Sequence, residues 1–449
     1  MFALSGDQIE RAAFFFQTKD ACLHMKPLPC LTLLFLMVLA CCSREPVLPS
    51  PVPPETLTRE QWLQGEAEAL AKTLSIREQA SQVLMTGIDG TTTFPDHLWR
   101  HFNGIVPGAV LLFGYNIADT PEKIHTYIVS CYRAFQTMGG LVPPFIAIDH
   151  EGGMVNRLRG ITGPLPSAGR VANTLAPEEA EELYYQNGRQ LRALGITMNL
   201  APVAEVLTGE NDSFLTTRSY GSDSVTVSRY VSAAVRGYRT AGVLPVVKHY
   251  PGNSGTDPHD GISTLAVTRE TLETTYLPVF RHAFTMGAPA VLLSHVRVPS
   301  IDTENPFCLS STGVSGLLRQ TDSFSGLVLT DDISMDALVE GAGSSSEKAV
   351  RALRSGCDMI MTSDTDIDRI VADIADEAEQ YPDFARRLEN AVTTIMRLKL
   401  ESGVVLSARQ THARSRAGQS GSTVVTSFDN NTFADAVRKS TAVLENVYE

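Results

Sequence analysis

Basic charge is scarce in this chain. Lys and Arg total 37 against 50 Asp and Glu, giving a formal net charge of −13 over 449 residues and a pI near 5.3. The basic residues are scattered and form no stripe. That excludes a nucleic-acid surface and favours a small neutral or sugar ligand over a polyanion. No cluster of cysteines and histidines reads as a metal site, and no glycine-rich phosphate loop follows a strand, so neither metal nor cofactor is expected. Cys131, Cys308 and Cys357 lie far apart in or beside apolar segments and read as core residues rather than a disulfide framework. With 43% hydrophobic and 19% charged residues, the chain is no disordered polymer. It is long enough for one large barrel or two ordinary domains.

Long hydrophobic runs are also lacking. The apolar block Leu31 to Ala40 is too short to cross a bilayer. It does have the shape of an export signal: Lys26 supplies a positive flank, and the block ends in V-L-A-C (Val38 to Cys41). This box is similar to the cleavage site of bacterial lipoproteins, which makes Cys41 the expected lipidated residue and mature N-terminus, with the membrane reached through the lipid anchor alone. Residues 1–24 carry Asp7, Glu10, Arg11, Lys19 and Asp20, which no signal flank would, so Met25 is a candidate start. Residues 42–60 include the Pro-rich stretch Pro46 to Pro54 and read as a linker.

Beyond the linker, short Val-, Ile- and Leu-rich runs alternate with helical segments such as Pro177 to Leu194 and Val225 to Thr240. The expected strands are Gln82 to Ile88, Ala109 to Gly114, Phe145 to Asp149, Thr197 to Val203, Leu244 to Tyr250, Ala290 to Val296, Gly326 to Asp332 and Asp358 to Thr362. Eight strand-helix repeats without a polar linker predict an α/β fold, a (β/α)8 TIM-type barrel over residues 61–405, in preference to a doubly wound sheet. Ile367 to Leu400 reads as an amphipathic helix closing the barrel. Barrels carry their chemistry at the C-terminal ends of the strands. Here those ends hold Asp149 and Glu151, Asn199 and Pro202, Lys248 and His249, Ser294 and His295, and Asp331 and Asp332. Ionisable groups at the end of an apolar strand are costly unless solvated, paired or used.

The strand-end motifs come in a specific series. I-D-H-E-G-G (Ile148 to Gly153) with Arg157, N-L-A-P-V (Asn199 to Val203), K-H-Y-P-G (Lys248 to Gly252), D-P-H (Asp257 to His259) and T-D-D-I-S-M (Thr330 to Met335) resemble glycoside hydrolase family 3. They are most similar to its β-N-acetylglucosaminidase branch, in order and spacing, over roughly residues 65 to 400. The resemblance implies a retaining exo-β-N-acetylglucosaminidase acting on peptidoglycan fragments or chitooligosaccharides. It aligns Asp331 with the family nucleophile. Neighbouring side chains on a strand point to opposite faces, so Asp331 and Asp332 cannot both aim at one sugar. The same resemblance makes His259 the general acid/base, with Asp257 as its partner, in place of the usual second carboxylic acid. Imidazole titrates near neutrality without deep burial, and a nearby carboxylate favours its protonated form. Asp149, Arg157, Arg218, Lys248 and His249 match positions that hydrogen-bond the sugar held at the catalytic end. A structural ion pair between Asp149 and Lys248 in the barrel mouth is the secondary reading, compatible with the first. Glu151 is left as structural, its paired glycines marking a tight turn.

The chain departs from the family at P-G-N-S-G (Pro251 to Gly255), where Asn253 replaces a histidine and the loop before the dyad is about two residues shorter. This departure supports a competing reading, a surface carbohydrate-binding lipoprotein that has lost turnover. A β-glucosidase is the competing enzyme, and D-P-H argues against it. Residues 406–449 read as a polar tail. Within it, Ala434 to Asn446 resembles either the opening of a second, truncated domain or a terminal helix docked on the barrel.

Overall fold

The computed structural model describes residues 57–255, 263–335, 338, 343–405 and 428–448. Leu63–Glu449 form one compact unit, and Leu4–Trp62, described only from Leu57 onward, form another. The larger unit is the expected barrel. Its parallel strands are β1 (Leu84–Gly87), β2 (Ala109–Leu112), β3 (Phe145–Ile148), β6 (Met198–Asn199), β7 (Leu244–Tyr250), β8 (Ala290–Leu293), β9 (Leu327–Thr330) and β10 (Ile360–Thr362). A short antiparallel hairpin of β4 (His150–Gly152) and β5 (Val155–Asn156) follows β3. The sheet runs β10-β1-β2-β3-β6-β7-β8-β9, and the parallel bridge Leu329↔Met359 joins its two edges. Strands such as Phe145–Ile148 and Ala290–Leu293 are buried throughout. That is why they read as unbroken apolar runs rather than as alternation.

All eight expected strands are present, most shortened by one to several residues. The fourth is shortened most: of Thr197 to Val203 only Met198–Asn199 remains regular ladder. The physical reason is side-chain substitution for backbone pairing. Asn199 accepts the His150 amide at 3.1 Å and donates back to the His150 carbonyl at 3.0 Å. Pro202 has no amide to give the ladder, although its carbonyl accepts the Lys248 N–H at 3.1 Å.

Helices α1 (Pro121–Thr137), α2 (Pro177–Leu194), α3 (Ser224–Thr240), α4 (Leu277–Thr285), α5 (Ser345–Ser355), α6 (Ile367–Gln380) and α7 (Pro382–Glu401) cover the outside. Their ends are written in the sequence: Thr120 caps α1 with Pro121 at the first position, Asp223 caps α3, and Ser344 with Glu347 forms a capping box on α5. The single helix expected over Ile367 to Leu400 is two, because Pro382 cannot continue α6 and instead opens α7. α7 packs at the end of the barrel where the strands begin. Its Lys399 is fully buried, and the ammonium donates to Gln82 Oε1 and the Pro143 carbonyl, each at 2.7 Å. Burial pushes the Lys399 pKa well below the usual range. Within the tail, α8 (Asn430–Tyr448) lies along α2: Arg189 pairs with Asp435 at 2.9 Å, and Phe433, Ala436 and Leu444 are buried. Residues 406–427 and the proposed lipidation site Cys41 fall outside the described residues.

Candidate active site

The strand ends converge on a cavity of about 460 Å³, within the range typical of small-ligand sites. Asp149, Arg157, Arg218, Lys248, His249 and Asp331 all line it, as do Asn253 and Asp332. Six residues singled out from five separated segments thus meet in one place. Asp257 and His259 lie outside the described residues.

On one side is an ionic network. Lys248, 3% exposed on β7, reaches Asp149 Oδ1 at 2.7 Å and Glu151 Oε1 at 2.6 Å. Arg218 grips Glu151 with two parallel bonds, Nε to Oε2 at 2.9 Å and Nη2 to Oε1 at 2.8 Å. Burial opposes every charge here, yet mutual attraction overcomes it. Glu151 is held well below the carboxylate range by Lys248 and Arg218. The Lys248 and Arg218 pKa values are raised by their carboxylates against the same opposing burial. Asp149 has its other oxygen 3.9 Å from Arg157, and both are partly open to solvent. Lys248 is therefore both a structural ion-pair partner and a cavity wall, whereas Asp149 and Arg157 face where a ligand would be. The glycines after Glu151 fit the turn read from the sequence. Gly152 and Gly153 have φ of +95° and +57°, and a Cβ on Gly152 would lie 2.2 Å from the Pro166 carbonyl oxygen.

A second carboxylate, Glu205, went unnoticed in the sequence. Its side chain has no exposure. One oxygen faces His249 Nδ1 at 2.7 Å, and the Asn253 amide donates to the other at 2.6 Å. The His249 peptide N–H and Asn253 Nδ2 complete the set at 3.3 and 3.1 Å. Ser294 in turn donates to Asn253 Oδ1 at 2.5 Å. A carboxylate accepts hydrogen bonds, so His249 Nδ1 carries a hydrogen and Nε2 is the nitrogen left to face a ligand. The available signal was A-P-V-A-E (Ala201 to Glu205), but an acid in an irregular segment has no periodicity to betray burial.

At the end of β9 the two aspartates have separate jobs. Asp332 Oδ1 accepts the amides of Ser334 and Ser363 at 2.9 and 3.1 Å, tying the loop after β9 to the end of β10, and its carbonyl accepts from His295 Nε2 at 2.8 Å. Asp331 accepts the Asp332 amide at 2.9 Å and otherwise presents its carboxylate to the cavity. Such a group, held at a strand end and facing other polar residues across the cavity, can attack an electrophilic carbon. Among the described residues no group of three or more His, Cys, Asp or Glu is arranged to hold a metal ion.

The model of the glycosyl hydrolase family 3 N-terminal domain matches residues 69–398. The chain belongs to glycosyl hydrolase family 3. It shares 35% identity over 309 residues with the β-hexosaminidase LpqI of Mycobacterium tuberculosis, covering 66% of this chain and 75% of that relative. It is 30% identical over 288 residues to a β-hexosaminidase of Hydrogenovibrio crunogenus, covering 62% and 77%. In structure it is similar to a family 3 β-N-acetylglucosaminidase of a Paenibacillus species, with TM-score 0.70 at 28% identity over 83% of this chain and 69% of the other. Within this glycoside hydrolase family, the departure at Asn253 is absorbed locally: its side chain donates to Glu205 and accepts from Ser294.

Proposed function

We propose that the protein is a retaining exo-β-N-acetylglucosaminidase that removes terminal β-linked N-acetylglucosamine from peptidoglycan fragments or chitooligosaccharides. The observation that carries this reading is the placement of Asp331, an available carboxylate on a rigid strand end, across one cavity from Asp149, Arg157, Lys248 and His249. Ionised donors and acceptors give strong, directional bonds suited to the hydroxyls of a single ring. In the first step an Asp331 oxygen bonds the anomeric carbon as the bond to the leaving oxygen breaks, and the His259 imidazolium gives its proton to that oxygen. In the second, His259 takes a proton from water while the water oxygen displaces Asp331. Asp257 favours the charged imidazole in the first step. The names of the relatives, β-hexosaminidase and β-N-acetylglucosaminidase, support the choice of sugar.

The competing non-catalytic sugar-binding reading rested on the shortened loop together with Asn253; the Asn253 side chain bonds Glu205 and Ser294 inside the protein, which weakens its part of that support. We further propose export and anchoring through lipid on Cys41. The decisive assay compares aryl β-N-acetylglucosaminide with aryl β-glucoside, each with and without phosphate. Release from the N-acetylglucosaminide alone, independent of phosphate, is expected. Preference for the glucoside overturns the sugar assignment, and dependence on phosphate overturns hydrolysis.

A further inference from the structure

The wall of the cavity is chemically lopsided. Its ionised residues come from the segments after β3 and β6 and from the ends of β7 and β9, whereas the arc from β10 through β1 to β2 supplies Met361, Ser363, Leu111 and Phe113. A ring gripped by its hydroxyls on the charged side has its leaving group to place elsewhere, and among the described residues this neutral arc offers a place. Phe113 follows β2 directly. Tyr115 stacks on it, with ring centroids 5.5 Å apart and planes 17° from parallel, and is 59% exposed. An aromatic pair therefore reaches from the cavity wall at Phe113 to solvent at Tyr115.

An exposed tyrosine alone means little. This one is held in a built support. Asn116, fully buried, accepts the Phe113 amide at 2.8 Å and donates to the carbonyls of Ile88 at 2.8 Å and Gly90 at 2.9 Å, clipping the Gly114–Asn116 turn to the loop after β1. Gly87 at the end of β1 keeps space for the pair: a Cβ there would sit 3.1 Å from Phe113 Cε2 and 3.8 Å from the Tyr115 hydroxyl oxygen. A Cβ at this position would crowd the Phe113 ring, so the glycine leaves that ring its place against the end of β1.

We infer that Tyr115, backed by Phe113, is the platform on which the leaving-group sugar rests, which makes it a specificity determinant for substrates whose aglycone is itself a pyranose. The inference rests on the proposed function and adds the second subsite. The negatively polarised ring face attracts the C–H face of a pyranose, and the clipped turn removes the ordering cost that a mobile side chain would impose. Chemistry at the anomeric carbon does not involve the platform, so its effect belongs to the ratio between substrates with and without a sugar aglycone.

The test measures kcat/KM for N,N′-diacetylchitobiose and for N-acetylglucosaminyl fluoride, which has no aglycone ring, in wild type, Tyr115→Ala, Tyr115→Phe and Tyr115→Trp. Stacking of this kind is worth about tenfold, so the chitobiose-to-fluoride ratio should fall by about that factor in Tyr115→Ala and be kept in Tyr115→Phe and Tyr115→Trp. A ratio unchanged in Tyr115→Ala, in a wild type that turns over both substrates, overturns the platform and leaves the proposed function standing. Equal losses in all three variants overturn it as well, since stacking would be restored by either aromatic replacement. A wild type that turns over neither substrate refutes the proposed function, and this inference with it.

Discussion

Asp149 and Glu151 both contact the Lys248 ammonium, at 2.7 and 2.6 Å, yet their removal should have opposite consequences. The Glu151 side chain is 5% exposed and serves two cations, while that of Asp149 is 28% exposed and borders the cavity. Two carboxylates balance Lys248 and Arg218, so Glu151→Ala strands a buried excess of positive charge and breaks the bidentate pair. Removing one partner of a buried pair costs about 3–5 kcal/mol. Asp149→Ala leaves Lys248 on Glu151 and removes a partly solvated bond, a loss of about 1 kcal/mol. Under the proposed function it also removes a charged hydrogen bond to the sugar, worth about 1.5–3 kcal/mol, or about 10- to 100-fold in kcat/KM. Urea denaturation of the two variants, paired with kinetics on the aryl N-acetylglucosaminide, separates these effects. Glu151→Ala should show the larger fall in midpoint, and Asp149→Ala a near-normal midpoint with crippled turnover. If Asp149→Ala unfolds as readily as Glu151→Ala, or retains full activity, the division of labour drawn from their burial is wrong.

Two further outcomes follow from buried or anchored groups. Burial, aided by the Arg157 charge, holds His150 down to about 4 from its ordinary 6.5. Its contribution is therefore complete above about pH 6.5 and is lost as pH falls toward 4, where the unfolded chain binds the proton and the folded one resists it. That amounts to about 3 kcal/mol. Urea midpoints at pH 7 and pH 4 should differ less in His150→Gln than in wild type, and identical losses contradict the assignment. For the anchor, the wild-type chain expressed in a bacterium should sediment with membranes and carry acyl groups at Cys41. Cys41→Ala should be released, and its persistence on the membrane rules the anchor out.

The barrel was legible because parallel strands buried on both faces show as apolar runs, and because each run ends in polar residues that need a reason to be there. Ala290 to Val296 and Gly326 to Asp332 fall on β8 and β9 for this reason. The partnerships were less legible. Lys248 and Asp149 could be placed together from their strands, but nothing in spacing announces that Arg218 spends two donors on Glu151, or that Glu205 reaches both His249 and Asn253. Those contacts join segments tens of residues apart through side-chain reach, which leaves no local period. The helix break at Tyr381 is written in Pro382, but the apolar periodicity continues across it and masks the break. Phe113 and Tyr115 gave no signal either, since only the fold sets one ring on the cavity wall and stacks the other, exposed, against it.

The assignment of Asp331 is tested most directly by trapping. Incubation with 5-fluoro-N-acetylglucosaminyl fluoride, in which the fluorine slows breakdown of a covalent intermediate, should add one sugar mass to the protein, and peptide mapping should place it on the peptide holding Asp331. Asp331→Ala should take up no label. A label on another carboxylate, or full turnover without any covalent adduct and with inversion at the anomeric carbon, contradicts the retaining mechanism proposed.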